Sequence, residues 1–91
     1  MSRLDNQTVN LLNILYFLNI HSSMTFEELW EKGCFESQRH LGGNLRNLVD
    51  AGMVIQKLDV YYITEIGIKF LFFYPNWKPN RRKIQSKPVV F

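Results

Sequence analysis

Apolar residues recur at helical spacing between Ser37 and Val54, in a segment that reads SQRHLGGNLRNLVDAGMV. Leu41, Leu45, Leu48 and Val49 recur three or four residues apart and predict one buried face. At about 100° per residue, the opposite face carries Arg39, His40, Gly43, Arg46, Asn47 and Asp50. Ser37 is placed to cap this helix and Gly52 to end it, because glycine adopts the left-handed conformation at little cost.

The segment from Val9 to Ile20 is apolar on nearly every side and predicts a first helix, capped by Thr8. Its main polar residues are Asn10, Asn13 and Asn19. A surface helix ordinarily keeps a broad polar face. We therefore expect this helix to be covered on two sides. One side should pack in the core and the other against a second subunit or the C-terminal segment.

A short second helix is predicted from Phe26 to Lys32, after a turn at residues 21–23. Thr25 and Glu28 have the spacing of a capping box, in which each side chain bonds the other residue's backbone N–H. Gly33 is expected to end this helix. The second and third helices then have the spacing of a helix-turn-helix.

Residues 53–57 and 60–63 are rich in β-branched and aromatic residues and predict two strands joined by a tight turn. Thr64 is placed to cap a fourth helix, which Pro75 cannot continue. We therefore expect one folded domain over residues 1–74 and an extended basic tail over residues 75–91.

The positive charge is concentrated in that tail. The net charge of the 91-residue chain is +3. Residues 75–91 hold five cations and no acid, whereas residues 1–74 hold six cations and eight acids. The tail is either a source of attraction for phosphates or a solvated terminus that improves solubility.

The single cysteine, Cys34, cannot form an internal disulfide, which favours a reducing, intracellular and cytoplasmic setting. The polar start of the chain lacks the pattern of a secretory signal. The most apolar run, residues 11–20, is too short to span a bilayer, so no membrane association is expected.

The segments described above resemble the winged helix-turn-helix regulators of the ArsR and MarR families over residues 9–73. Their recognition helix often reads S-Q-S-T-V-S-x-H-L-x-x-L-x-x-A-G-L-V, which Ser37, Gln38, Leu45, Leu48, Ala51, Gly52 and Val54 match in register. Residues 61–67 resemble the Y-x-L-T-E-x-G junction between the wing and the last helix. The resemblance implies an α+β, mainly helical fold. Its parts would be a three-helix core, a short two-stranded wing, a C-terminal helix and here a basic tail.

The same resemblance implies sequence-specific binding of double-stranded DNA by a homodimeric transcriptional regulator, with the third helix in the major groove. The candidate DNA contacts are Gln38, Arg39, His40, Gly43, Asn44, Arg46, Asn47, Lys57, Lys78, Arg81, Arg82 and Lys83. The candidate dimer contacts are Leu11, Ile14, Leu15, Leu18, Phe70, Phe73 and Trp77.

Three features depart from the family pattern. Gly42 and Gly43 lie inside the third helix, where each glycine costs roughly 1 kcal/mol relative to alanine. Gly43 would either let a partner approach the backbone closely or simply loosen the helix. The wing is short and carries one cation, Lys57. The paired cysteines of metal-sensing members are missing, so no metal or cofactor is expected.

No nucleophile, base and orienting group can be assembled from the sequence, and no phosphate-binding loop is present, so we do not expect an enzyme. The main alternative to DNA binding is a winged helix that serves as a protein-interaction module in a larger assembly. The acidic body, the Gly42–Gly43 pair and the many aromatic residues favour that alternative.

Overall fold

The computed structural model describes residues 5–79. The elements in chain order are α1 (Asn6–His21), β1 (Ser23–Thr25), α2 (Phe26–Trp30), α3 (Gln38–Asp50), β2 (Val54–Lys57), β3 (Val60–Ile63) and α4 (Glu65–Phe72). Four helices and a small antiparallel sheet confirm the predicted α+β, mainly helical class. Within residues 5–79, no helix is both long enough and apolar enough to cross a membrane.

The sheet has three strands in the order β1-β3-β2, one more than the sequence predicts. The additional strand, β1, includes Ser23, which we expected in a turn. Ser22 reverses the chain with φ of +72°, and Ser23 then pairs with Tyr62 of β3. A strand of three residues is too short to show a hydrophobic period. Its existence depends on the partner strand.

Helix α1 forms the centre of the core and contacts α3, α4, β1 and β3. Its residues Ile14, Leu15 and Leu18 are fully buried inside the chain. Their predicted role in a dimer interface is therefore wrong, because they present no surface to a second subunit. Of the two covers expected for the second side of this helix, the structure shows the C-terminal segment, in the form of α4.

The helix caps are largely those that the sequence predicts. Thr25 and Glu28 form the expected capping box at the start of α2. For α1, however, the cap is Asp5 and not Thr8, because the Thr8 backbone N–H donates to Asp5 Oδ1 over 2.8 Å. The helix therefore begins earlier than predicted. Helix α2 ends at Trp30, before the predicted end at Lys32.

Thr64 fixes the junction between the sheet and α4. Its hydroxyl donates to the Gly52 carbonyl over 2.6 Å and accepts from the Gly67 backbone N–H over 3.2 Å. Helix α4 ends at Phe72, and Trp77 then packs against the core. The folded part of the chain therefore continues a few residues beyond Tyr74.

Replacement of Gly67 by alanine should destabilise the fold by about 1–3 kcal/mol, the usual cost of overpacking. A Cβ atom at Gly67 would collide with the Met53 carbonyl oxygen and would lie 2.8 Å from Ile63 Cγ1. The matched control is Gly43→Ala, where a Cβ meets no atom within 4 Å. That variant should gain roughly 1 kcal/mol from helix propensity. Urea unfolding measures the free energy of unfolding of both variants. Equal changes would contradict the close packing described at Gly67.

Stability in acid should depend on Asp5. Two hydrogen bonds from Thr8 lower the pKa of the Asp5 carboxyl. The larger effect comes from the Thr8 backbone N–H and the smaller from its side chain. The stability that ionised Asp5 contributes is fully present above the pKa of Asp5 in the unfolded chain. It is lost as the pH falls through the lower pKa of Asp5 in the folded protein. Asp5→Asn keeps an acceptor without a charge, so its melting temperature should fall less in acid than that of the wild type. Equal falls in melting temperature in acid for the two proteins would exclude this role of the Asp5 charge.

Candidate nucleic-acid interface

Helix α3 is held in one orientation by its apolar face and by both of its ends. Leu41, Leu45 and Leu48 are buried, and the helix packs against α1. Ser37 Oγ accepts the His40 backbone N–H over 3.1 Å at the start. At the end, Gly52 has φ of +80°, and the Met53 backbone N–H donates to the Leu48 carbonyl over 2.9 Å. The predicted cap and stop of this helix are confirmed.

The opposite face of α3 is exposed. It carries Gln38, Arg39, His40, Gly43, Arg46 and Asn47, all predicted candidates for DNA contacts. We call these six residues the outer face. They form one continuous polar surface because the helix is anchored by its other side.

Asn44 does not belong to the outer face, although we predicted it as a DNA contact. Its residue surface is only 8% exposed. Asn44 follows Leu41 by three positions and precedes Leu48 by four, so it lies beside the buried leucine row. Helical spacing alone would have placed it on the inner side.

The charges along α3 are balanced. Arg39 and Arg46 are exposed, and neither forms an ion pair with another residue in the described part of the chain. His40 Nδ1 lies 3.2 Å from Glu36 Oε1, just before the helix. Asp50 is exposed at the far end. The two arginines are therefore available to bind an anion, whereas the acids lie towards the two ends of the helix.

A cleft of about 730 Å³ separates the N-terminal half of α1 from α3. We call it the amide cleft because carboxamides line it from both helices: Gln7, Asn10, Asn13, Asn44 and Asn47. Arg39, Gly43 and Arg46 of the outer face also line it. We did not predict the α1 residues of this cleft from the sequence. Asn10 and Asn13 are three positions apart in an apolar helix, and this spacing could have placed them on one side.

A second groove, of about 420 Å³, lies between α3 and the β2–β3 hairpin. Arg46 lines it together with Gln56 and Tyr61, so the hairpin continues the surface that begins on α3. Lys57, the predicted contact in the hairpin, is exposed, and its Nζ lies 5.9 Å from the ring centroid of Tyr62.

Of the predicted tail contacts, only Lys78 belongs to the described residues. Lys78 is exposed beyond α4, and Arg81, Arg82 and Lys83 lie outside residues 5–79. Within residues 5–79, no three His, Cys, Asp or Glu side chains are grouped as metal ligands.

The remaining predicted dimer contacts separate into two groups. Leu11, Phe70 and Trp77 are half-buried and pack against the core of their own chain. Phe73 is 77% exposed, and its neighbour Phe72 is 69% exposed. Of the predicted dimer contacts, Phe73 is therefore the one that is left largely uncovered, although Ile20 of α1 and Leu58 of the hairpin are also exposed.

No protein-family model, curated protein or solved structure matches the chain. A function must therefore be inferred from the residues and geometry of this chain. The observation with most consequence is the open outer face of a helix whose other side is firmly anchored.

Proposed function

We propose that the protein is a winged helix-turn-helix regulator that binds double-stranded DNA sequence-specifically as a homodimer. Helix α3 would be the recognition helix and the β2–β3 hairpin the wing. The open outer face carries this proposal, because it combines two unpaired arginines with amide groups on an anchored helix. The order of helices and strands around α3 supports it.

The outer face has suitable dimensions and chemistry for a major groove. A helix of 13 residues is about 20 Å long, and the groove is about 12 Å wide. Arginine pairs with guanine or phosphate, and Asn47 or Gln38 with adenine. Arg46 lines the groove between α3 and the hairpin. With α3 in the major groove, the hairpin would place Lys57 near the adjacent DNA backbone. The five cations of residues 75–91 would add attraction that does not depend on base sequence.

Arg39→Ala and Arg46→Ala should each weaken binding to a selected duplex by about 1–3 kcal/mol and relax its sequence preference. The control is Lys69→Ala, which removes an exposed cation from α4 together with its 3.9 Å ion pair to Glu65. Selection from pooled random duplexes, followed by mobility shifts, measures both effects. The proposal is wrong if no sequence is enriched at low salt, or if Lys69→Ala has the same effect.

We further propose that the exposed phenylalanines of α4 form the dimer contact. Two recognition helices would then enter successive major grooves about 34 Å apart on a roughly palindromic site. Phe72→Ser with Phe73→Ser should convert a dimer to a monomer, because two largely exposed aromatic side chains are removed. Folding should be unaffected. Light scattering of both proteins measures the change, and an unchanged mass would refute this interface.

The alternative function is a protein-interaction module, which the same exposed phenylalanines and the 55% exposed Ile66 favour. Pull-down from source extract, with and without nuclease, separates the two functions. A partner that persists after nuclease and is lost in the phenylalanine variant would favour the module. A complex that disappears with nuclease would favour DNA binding.

A further inference from the structure

We propose that the amide cleft is a binding site for a phosphorylated sugar, and that its occupant excludes DNA from α3. The binding itself is independent of the function proposed above. The exclusion of DNA rests on that function. Three properties of the cleft indicate this class of ligand: an unpartnered buried acceptor, walls of carboxamides and two unpaired arginines.

Asn13 is the buried acceptor. It lines the cleft, only 3% of its surface is exposed, and its Oδ1 has no hydrogen-bond partner. A buried polar atom without a partner is unfavourable until a donor reaches it. The phosphodiester and deoxyribose groups of a DNA backbone contain no N–H or O–H donor. A sugar hydroxyl does provide one, which favours a free sugar over the DNA backbone as occupant.

The walls match a ligand with several hydroxyl groups. The five carboxamides of the cleft each donate and accept hydrogen bonds, as hydroxyls also do. The only aromatic ring of residues 5–79 that lines the cleft is the imidazole of His40, whose Nδ1 lies 3.2 Å from Glu36 Oε1. A nucleobase would therefore find only this small ring, already held by Glu36, to stack on. This contrast favours a sugar over a nucleotide.

The arginines supply the site for an anion. Arg39 and Arg46 line the cleft without an ion pair to any described residue. Glu36 also lines it, but its carboxylate lies against His40. Guanidinium groups bind phosphate through paired hydrogen bonds. A phosphate ester on the sugar would bind the guanidinium groups of both arginines. A neutral sugar would leave these groups without an anion.

Gly43 leaves room for this ligand. A Cβ atom at Gly43 would meet no atom within 4 Å, so the fold itself does not require glycine there. The cleft volume of about 730 Å³ lies in the usual range for small-molecule sites. The space beside Gly43 thus lies next to both arginines and the α3 amides.

Ligand and DNA would compete directly. Arg39, Arg46 and Asn47 belong both to the amide cleft and to the outer face. A phosphate that occupies the arginines removes them from the DNA. Since the same side chains serve both ligands, each should reduce the apparent affinity of the other.

Calorimetric titration of the full chain without DNA tests the site. The probes are phosphorylated glucose and fructose, the two sugars without phosphate, inorganic phosphate and adenosine monophosphate. We expect at least one phosphorylated sugar to bind about tenfold or more tightly than every other probe, an affinity ratio typical of one good hydrogen bond or more. Equal binding of inorganic phosphate, or tighter binding of the nucleotide, would overturn the proposal.

Asn13→Leu tests the role of the buried acceptor, with Asn19→Leu as the matched control on the exposed side of α1. Asn13→Leu should weaken sugar-phosphate binding about tenfold and leave DNA binding unchanged, because Asn13 is not on the outer face. Gly43→Leu, which fills the cleft, should also abolish sugar-phosphate binding. Unchanged sugar-phosphate binding in either variant would overturn the site.

A competition mobility shift then separates the two proposals. If the phosphorylated sugar binds and no duplex is enriched, only the proposed function fails. If DNA binds and no phosphorylated sugar does, only the amide cleft fails as a site. If both bind but the sugar phosphate does not displace DNA, exclusion is refuted. The expected result is displacement from both proteins, with about tenfold more sugar phosphate needed for Asn13→Leu than for the wild type.

Discussion

The apolar surface of α1 (Asn6–His21) is the constraint on which the rest of the fold depends. Leu12, Ile14, Leu15 and Leu18 occupy several sides of this helix, and all are fully buried. A helix that is apolar nearly all round is stable only when other elements cover it. The sheet, α3 and α4 provide that cover within one chain. The positions of α3 and of its exposed residues follow from this requirement.

Packing against α1 also determines which polar groups become buried. The leucine row of α3 faces α1, so Asn44 beside that row is drawn inward with it. Asn13 of α1 meets the same boundary and is left with an unpartnered oxygen. The amide cleft therefore arises where two polar positions adjoin the contact between two apolar surfaces. Hydrophobic packing fixes its shape, and the asparagines determine its chemistry.

Apart from the cap of α1, which is Asp5 and not Thr8, local signals in the sequence were sufficient where a structure depends on neighbouring residues. The caps at Thr25, Ser37 and Thr64 and the stop at Gly52 need only a short segment each, and all were predicted correctly. Strand β1 and the partners of α1 depend on residues distant in sequence. Apolar residues on α1 showed that it needed cover, but not whether α4 or a second subunit supplied it. The cleft likewise joins asparagines from two helices, which no single segment reveals.

The small size of the domain explains why one surface would serve two ligands. In a chain of 91 residues, α1 already occupies the core, which leaves little interior for a separate effector pocket. A small molecule that binds this domain would then bind at its surface. Arg39 and Arg46 are the arginines of the described chain, and both lie on α3. An anion that binds an arginine of residues 5–79 therefore binds at the outer face. The proposed competition with DNA would require no conformational change, because the two ligands would need the same side chains.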